Sequence, residues 1–205
     1  MRRLAALPLL LGCAPADEPS PAAPTVPTCA AAMAAGDPVR SWSELAPLVE
    51  QVRTERYPEL ADVPLELVEL TSETDFFVAN LDLATASAPP LERSYRVLAN
   101  PRLFPNPPPF DAVYAILVHE LAHIRDYTEL DTTELVEFGL WYATADTTAY
   151  ERSTDEVALT LGCGAGLKSY RLWLYDQLTE EQADAKRATY YTPDEIDAWM
   201  AANGG

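Results

Sequence analysis

The stretch Val118-His119-Glu120-Leu121-Ala122-His123-Ile124, VHELAHI, holds both histidines of a 205-residue chain, four residues apart with a glutamate between them. It lies inside DAVYAILVHELAHIRDY (111–127), whose apolar spacing predicts one long helix, with Asp111 as its cap. At about 100° per residue His123 falls about 40° from His119, on the same helix face, and Glu120 sits at the edge of that face. Ala112, Ala115 and Ala122 lie on or beside the face and leave room above the imidazoles. Val113, Leu117, Leu121 and Ile124 take the opposite side. A helix apolar nearly all round is buried, and buried imidazoles and carboxylates need partners.

Histidines at i and i+4 can aim ring nitrogens at one metal ion about 2.0–2.1 Å away. The glutamate between them then reaches a water on that metal without ligating it, which is the HExxH zinc pattern. Two histidines scattered over this length would adopt the spacing in roughly one case in a hundred. A catalytic site takes a third protein ligand, and with no histidine left it must be Asp, Glu or Cys. The predicted helix YERSTDEVALTLG (150–162) places Glu151 and Asp155 on an inward face with Thr154, Ala158 and Leu159. Arg152 and Glu156 fall on the other side, spaced for an exposed pair. Two carboxylates buried without partners would cost several kcal/mol. A zinc ion on Glu151 and an imidazole N–H on Asp155 would remove that cost. Pairing with Arg125 or Lys168, or a wet groove, is the alternative. Glu156, Asp146 and Cys163 are weaker ligand candidates.

Ahead of this helix, SWSELAPLVEQVRTERY (41–57) reads as a helix with Ser43 as its cap. PLELVELT (64–71), DFFVANLDL (75–83) and RSYRVLAN (93–100) read as short strands, and proline keeps NPRLFPNPPPF (100–110) extended. After it come a polar loop and short helix (128–146), then the helix of Glu151, stopped by Gly162 and Gly164. LKSYRLWLYDQL, TEEQADAKRATYY and TPDEIDAWMAAN complete a helical majority, the last opening on Thr192, Pro193 and Glu195 as cap, first-turn proline and capping-box glutamate. The fold class is α+β: a small sheet followed by a mainly helical domain around a buried HExxH helix.

The formal charge is −18, and more acidic still once Arg2 and Arg3 are set aside. That excess argues against nucleic acid and against electrostatic binding to anionic lipid. The opening MRRLAALPLLLGCAPADEPS has two arginines, a short apolar run and small residues, the pattern of an export leader over 1–12. Leu10-Leu11-Gly12-Cys13 resembles a bacterial lipobox, which implies lipidation of Cys13 and a mature chain beginning there. With Ala14 next, the resemblance implies an outer-membrane lipoprotein facing the periplasm or the surface, attached to the membrane through its lipid alone. Residues 13–40, rich in Pro and Ala, read as a tether, and 41–205 as the domain. In an oxidising compartment the remaining pair, Cys29 and Cys163, reads as a disulfide, with two buried free thiols as the alternative.

Taken together, His119-Glu120-Leu121-Ala122-His123 and Glu151-Arg152-Ser153-Thr154-Asp155 resemble the gluzincin metallopeptidases, over roughly residues 94–163. The resemblance implies a zincin-like domain, one Zn2+ held by His119, His123 and Glu151, Glu120 as general base, and Asp155 orienting the first histidine. It implies hydrolysis of peptide bonds in a peptide or protein substrate, with no covalent intermediate. It also implies a strand before the active helix whose edge holds extended substrate, a place that Ser94–Asn100 occupies. The chain departs from many gluzincins in offering no downstream histidine for the oxyanion. Tyr142, Tyr150, Tyr170 and Arg171 are the candidates. A di-iron bundle would need a second Glu-x-x-His, and a Ser–His–Asp hydrolase a further histidine, so neither fits. The rival reading is a weakly active or inactive zinc-binding envelope lipoprotein that serves as a scaffold or binding module.

Overall fold

A computed structural model describes residues 28–34 and 36–204. The leader, Cys13 and most of the tether lie outside them. Among the described residues are eight α-helices and three strands: α1 (Cys29–Met33), α2 (Trp42–Arg56), β1 (Leu65–Glu69), β2 (Phe77–Leu81), β3 (Tyr95–Ala99), α3 (Phe110–Glu129), α4 (Thr132–Thr144), α5 (Thr148–Thr160), α6 (Gly164–Gln177), α7 (Glu180–Thr189) and α8 (Pro193–Asn203). The fold is α+β and mainly helical, with one small sheet.

The sheet order is β1-β3-β2. β3 lies parallel to β1, with Leu65 opposite Tyr95, and antiparallel to β2, with Ala79 opposite Val97. Alternation decides which way β3 faces: Tyr95, Val97 and Ala99 are buried while Arg96 reaches Glu66 and Asp82 on the other side. Because β3 is central, Ser94–Asn100 has no free edge. The edge strand beside the long helix is β2, and the sequence-based choice of strand is corrected. Strand order depends on pairing between distant segments, which local alternation does not encode.

α3 is the axis of the domain. Every residue from Ala112 to Ile124 is buried, as its unbroken apolar pattern requires. Burying side chains such as Leu117, Leu121 and Ile124 contributes roughly 1.5–3 kcal/mol each. It packs against α2, α5, α6 and β2. Tyr57 donates its hydroxyl to the Val118 carbonyl at 2.7 Å, and the buried Arg93 donates to the Leu130 carbonyl just past the helix end at 2.7 Å. Pro109, not Asp111, holds the N-cap position; Asp111 lies in the first turn, where a carboxylate still suits the helix dipole. Likewise α2 begins after Ser41, two residues ahead of Ser43, and the Arg40 N–H donates to Glu44.

Other boundaries also moved. The extended loop of 100–110 contains a single 3-10 turn, Pro101–Leu103, capped by the Asn100 side chain. Gly162, at φ 80°, ends α5 in the left-handed region, but Gly164 opens α6 instead of closing α5. The short helix expected within 128–146 is a 13-residue helix with an Asp131/Glu134 capping box. Arg152 pairs with Glu195 at 2.9 Å, and Glu156 accepts from the Tyr191 hydroxyl, so the two do not pair with each other. α8 opens on Thr192, Pro193 and Glu195 as the pattern predicts.

Cys29 and Cys163 are bonded, with Cα atoms 5.1 Å apart. The bridge sets α1 against the junction of α5 and α6. Cys29, Met33 and Val39, all within the stretch read as tether, are buried in the core. No helix among the described residues is long and apolar enough to cross a membrane.

Candidate metal centre

α3 aims His119 Nε2 and His123 Nε2 at one point, 3.1 Å apart. Glu151 Oε2 arrives from α5 at 3.4 Å from the first nitrogen and 3.3 Å from the second. All three side chains are buried. Tetrahedral coordination with bonds of about 2.0–2.1 Å separates ligand atoms by roughly 3.3–3.4 Å. The triangle matches that spacing, so its three atoms could hold one ion between them. Two imidazole nitrogens and one carboxylate oxygen could hold a metal ion, and the donor set itself suits several divalent metals.

Each donor residue has a second partner that turns it. Asp155 Oδ1 lies 2.9 Å from His119 Nδ1. The same carboxylate accepts from Arg171 at 2.7 Å and from the Tyr191 backbone N–H at 3.0 Å. Burial opposes its charge, but the Arg171 guanidinium and His119 hold the Asp155 carboxyl below the usual range. Tyr150 Oη lies 3.0 Å from His123 Nδ1 and 3.4 Å from Asp126 Oδ2. Tyr142 donates to Glu151 Oε1 at 2.6 Å, leaving Oε2 for the histidines. Burial works against the Glu151 charge, yet hydrogen bonds from His119 and His123 keep it well below the ordinary value. For His119 burial disfavours the imidazolium, and Asp155 and Glu151 outweigh it, raising the ring to about 10.

Glu120 stays out of the triangle. Its Oε2 accepts the Ala79 N–H of β2 at 2.6 Å, across the floor of a cleft of about 420 Å³. Burial is the main reason its carboxyl is raised above the ordinary value. β2 forms one wall of the cleft, and Leu135, Phe138 and Tyr142 of α4 form the other.

His119, His123, Glu151, Glu120 and Asp155 therefore come together. The weaker ligand candidates do not. Glu156 faces Tyr191, Cys163 is in the bridge, and exposed Asp146 accepts from the Thr148 N–H. Arg125 and Lys168 pair with Asp126 and Asp197 and leave the two inward acids alone. The four oxyanion candidates all have other partners, though Tyr142 also lines the cleft. Arg171 is spent on Asp155, Tyr170 packs between Phe77 and Trp173, and Tyr142 and Tyr150 support the ligands. Tyr190, which no sequence argument singled out, lines the cleft with its ring 6.0 Å from that of His119. It follows α7 as that helix's C-cap, so only the tertiary contact of α5 with α7 brings it near. Comparison with protein-family models, curated proteins and solved structures returns no match to this chain, so its likeness to the gluzincins rests on these residues alone.

Proposed function

We propose that the chain is a zinc-dependent peptidase that hydrolyses peptide bonds, with His119, His123 and Glu151 as ligands and Glu120 as general base. The observation that carries the reading is the donor triangle with a free carboxylate beside it in an open cleft. A bound zinc ion supplies Lewis acidity, which acidifies a water and polarises a carbonyl. The remaining work falls to the chain. Asp155 Oδ1, 2.9 Å from His119 Nδ1, and the Tyr150 oxygen, 3.0 Å from His123 Nδ1, are placed to keep the ring protons on Nδ1, which would leave both Nε2 lone pairs for an ion. Glu120 takes the proton of the attacking water at a carboxylate oxygen and returns it to the departing amine. β2, an edge strand, forms the wall along which an extended peptide would lie, with the Ala79 N–H already given to Glu120. Tyr190, whose ring lines the cleft 6.0 Å from that of His119, is the candidate hydroxyl for a developing oxyanion.

The first residues extend the reading: the chain is proposed to be an exported lipoprotein anchored through Cys13, its cleft facing the periplasm or the surface. The test is metal analysis of the purified protein together with Glu120→Gln. A peptidase keeps one zinc per chain in this variant and loses cleavage of a casein or quenched-peptide substrate. A scaffold loses nothing measurable, and zinc absent from the wild-type protein would end the proposal.

A further inference from the structure

α4 is unusual for its place. Its sequence TTELVEFGLWYAT is rich in large apolar residues, yet only Leu135 is buried. Val136 is 64% exposed, Leu140 68%, and Trp141 and Tyr142 about two-fifths. Across the cleft mouth Leu83 is 82% exposed. Of these exposed side chains Tyr142 and Leu83 line the cleft, with buried Leu135 and half-buried Phe138 beside them, and an apolar lining of this kind suits a ligand cleft.

Gly139 sharpens this. It sits in mid-helix and lines the cleft, and a Cβ built on it would meet nothing within 4 Å. Its φ is not left-handed. Glycine is among the least favourable residues inside a helix, and alanine would fit here without strain or crowding. Neither the backbone nor a neighbour asks for glycine; what it preserves is the space in front of it. Ala143, one turn on, extends the same low wall.

Charge narrows the occupant. Asp75, Glu120 and Glu151 line the cleft, and no lysine or arginine does. Lys186, held on Asp75, faces the small chamber behind Glu120 instead. Away from the donor triangle an acidic side chain would find no lysine or arginine to pair with, and neither would a free C-terminal carboxylate.

We propose that the gap over Gly139, bounded by Leu83, Leu135, Phe138, Tyr142 and Ala143, is a subsite for one bulky apolar side chain of a polypeptide. The occupant is an interior segment, uncharged or basic, and the enzyme cuts within chains instead of trimming carboxyl termini. This rests on the peptidase reading.

The test uses the zinc-loaded chain and peptides acetylated and amidated at their ends. Each has Ala, Leu, Phe, Lys or Asp beside the scissile bond. The Phe or Leu peptide is expected to exceed the Ala peptide in kcat/KM by about tenfold or more, with Asp poorest. Gly139→Leu, and independently Ala143→Leu, should cut the Phe-to-Ala ratio at least about fivefold by filling the gap. The same ratios are read as Kd by fluorescence anisotropy on Glu120→Gln protein, which needs no turnover. Equal affinity for all five peptides, preference for Asp, or ratios unmoved by both substitutions would overturn the subsite. Apolar-selective binding without cleavage by the wild type would instead overturn the peptidase and keep the subsite. Cleavage without apolar preference would do the reverse.

Discussion

Glu120 and Ala79 are 41 residues apart in sequence, yet the backbone N–H of Ala79 meets Glu120 Oε2 at 2.6 Å. One hydrogen bond thus joins the middle of the buried helix to the edge strand, and it sets the carboxylate beside the donor triangle without letting it enter. Glu120→Gln keeps an acceptor for that N–H and should leave the melting temperature within a few degrees. Cleavage should fall about 10²–10⁴-fold with metal content unchanged, measured on the same preparation.

Removing Glu151 opens the triangle. Glu151→Ala should lose stoichiometric metal after dialysis, and equal zinc in variant and wild type would refute the third ligand. Tyr142→Phe removes only the hydrogen bond to Oε1, so the ligand remains but is less well oriented. Metal affinity should drop about 10–100-fold, read by competition with a chromophoric chelator.

Asp155 and Arg171 form a fully buried pair at 2.7 Å, reaching from α5 to α6 beneath His119. Breaking such a pair from one side leaves the other charge unpaired in the interior. Arg171→Met should destabilise the domain by about 3–5 kcal/mol in urea unfolding, and Asp155→Ala comparably. A loss under about 1 kcal/mol for both would mean that water reaches the site.

Asp75 and Lys186 are joined at 2.5 Å beside the cleft. Burial opposes the Asp75 charge, but Lys186, Ser72 and Thr74 together hold its carboxyl below the ordinary value. A depressed carboxyl stabilises the folded state above its unfolded pKa, and that contribution disappears as pH falls through the folded pKa. The carboxylate is a third exposed, so screening limits it to about 1 kcal/mol or less. Asp75→Asn should therefore be slightly less stable than wild type near pH 7, with the difference gone near pH 2.

The Cys29–Cys163 bridge closes a separation of 134 residues, so it restricts the unfolded chain strongly. Reduction, or Cys29→Ala with Cys163→Ala, should lower stability by about 2–5 kcal/mol. Thermal melts with and without dithiothreitol measure it. An unchanged melt would show that α1 is held by packing alone.

Much of the site was legible from helical periodicity. The unbroken apolar pattern of 112–124 dictates a buried helix, and a buried helix leaves His119 and His123 only one face to share. The inward face of 150–162 put Glu151 and Asp155 together for the same reason. Both arguments are local, because side chains four apart on a helix are neighbours whatever the rest of the chain does. The tertiary structure decided everything that joins separate segments: β2 in place of 94–100 as the open edge, Arg171 on Asp155, Tyr150 and Tyr142 on the ligands, and Tyr190 in the cleft wall. It also decided that α4 forms a wall of the cleft while several of its apolar side chains stay exposed, where the residues alone suggested a polar loop and a short helix. Periodicity says which face of an element is buried, but which segment covers that face is settled only by long-range packing and strand order.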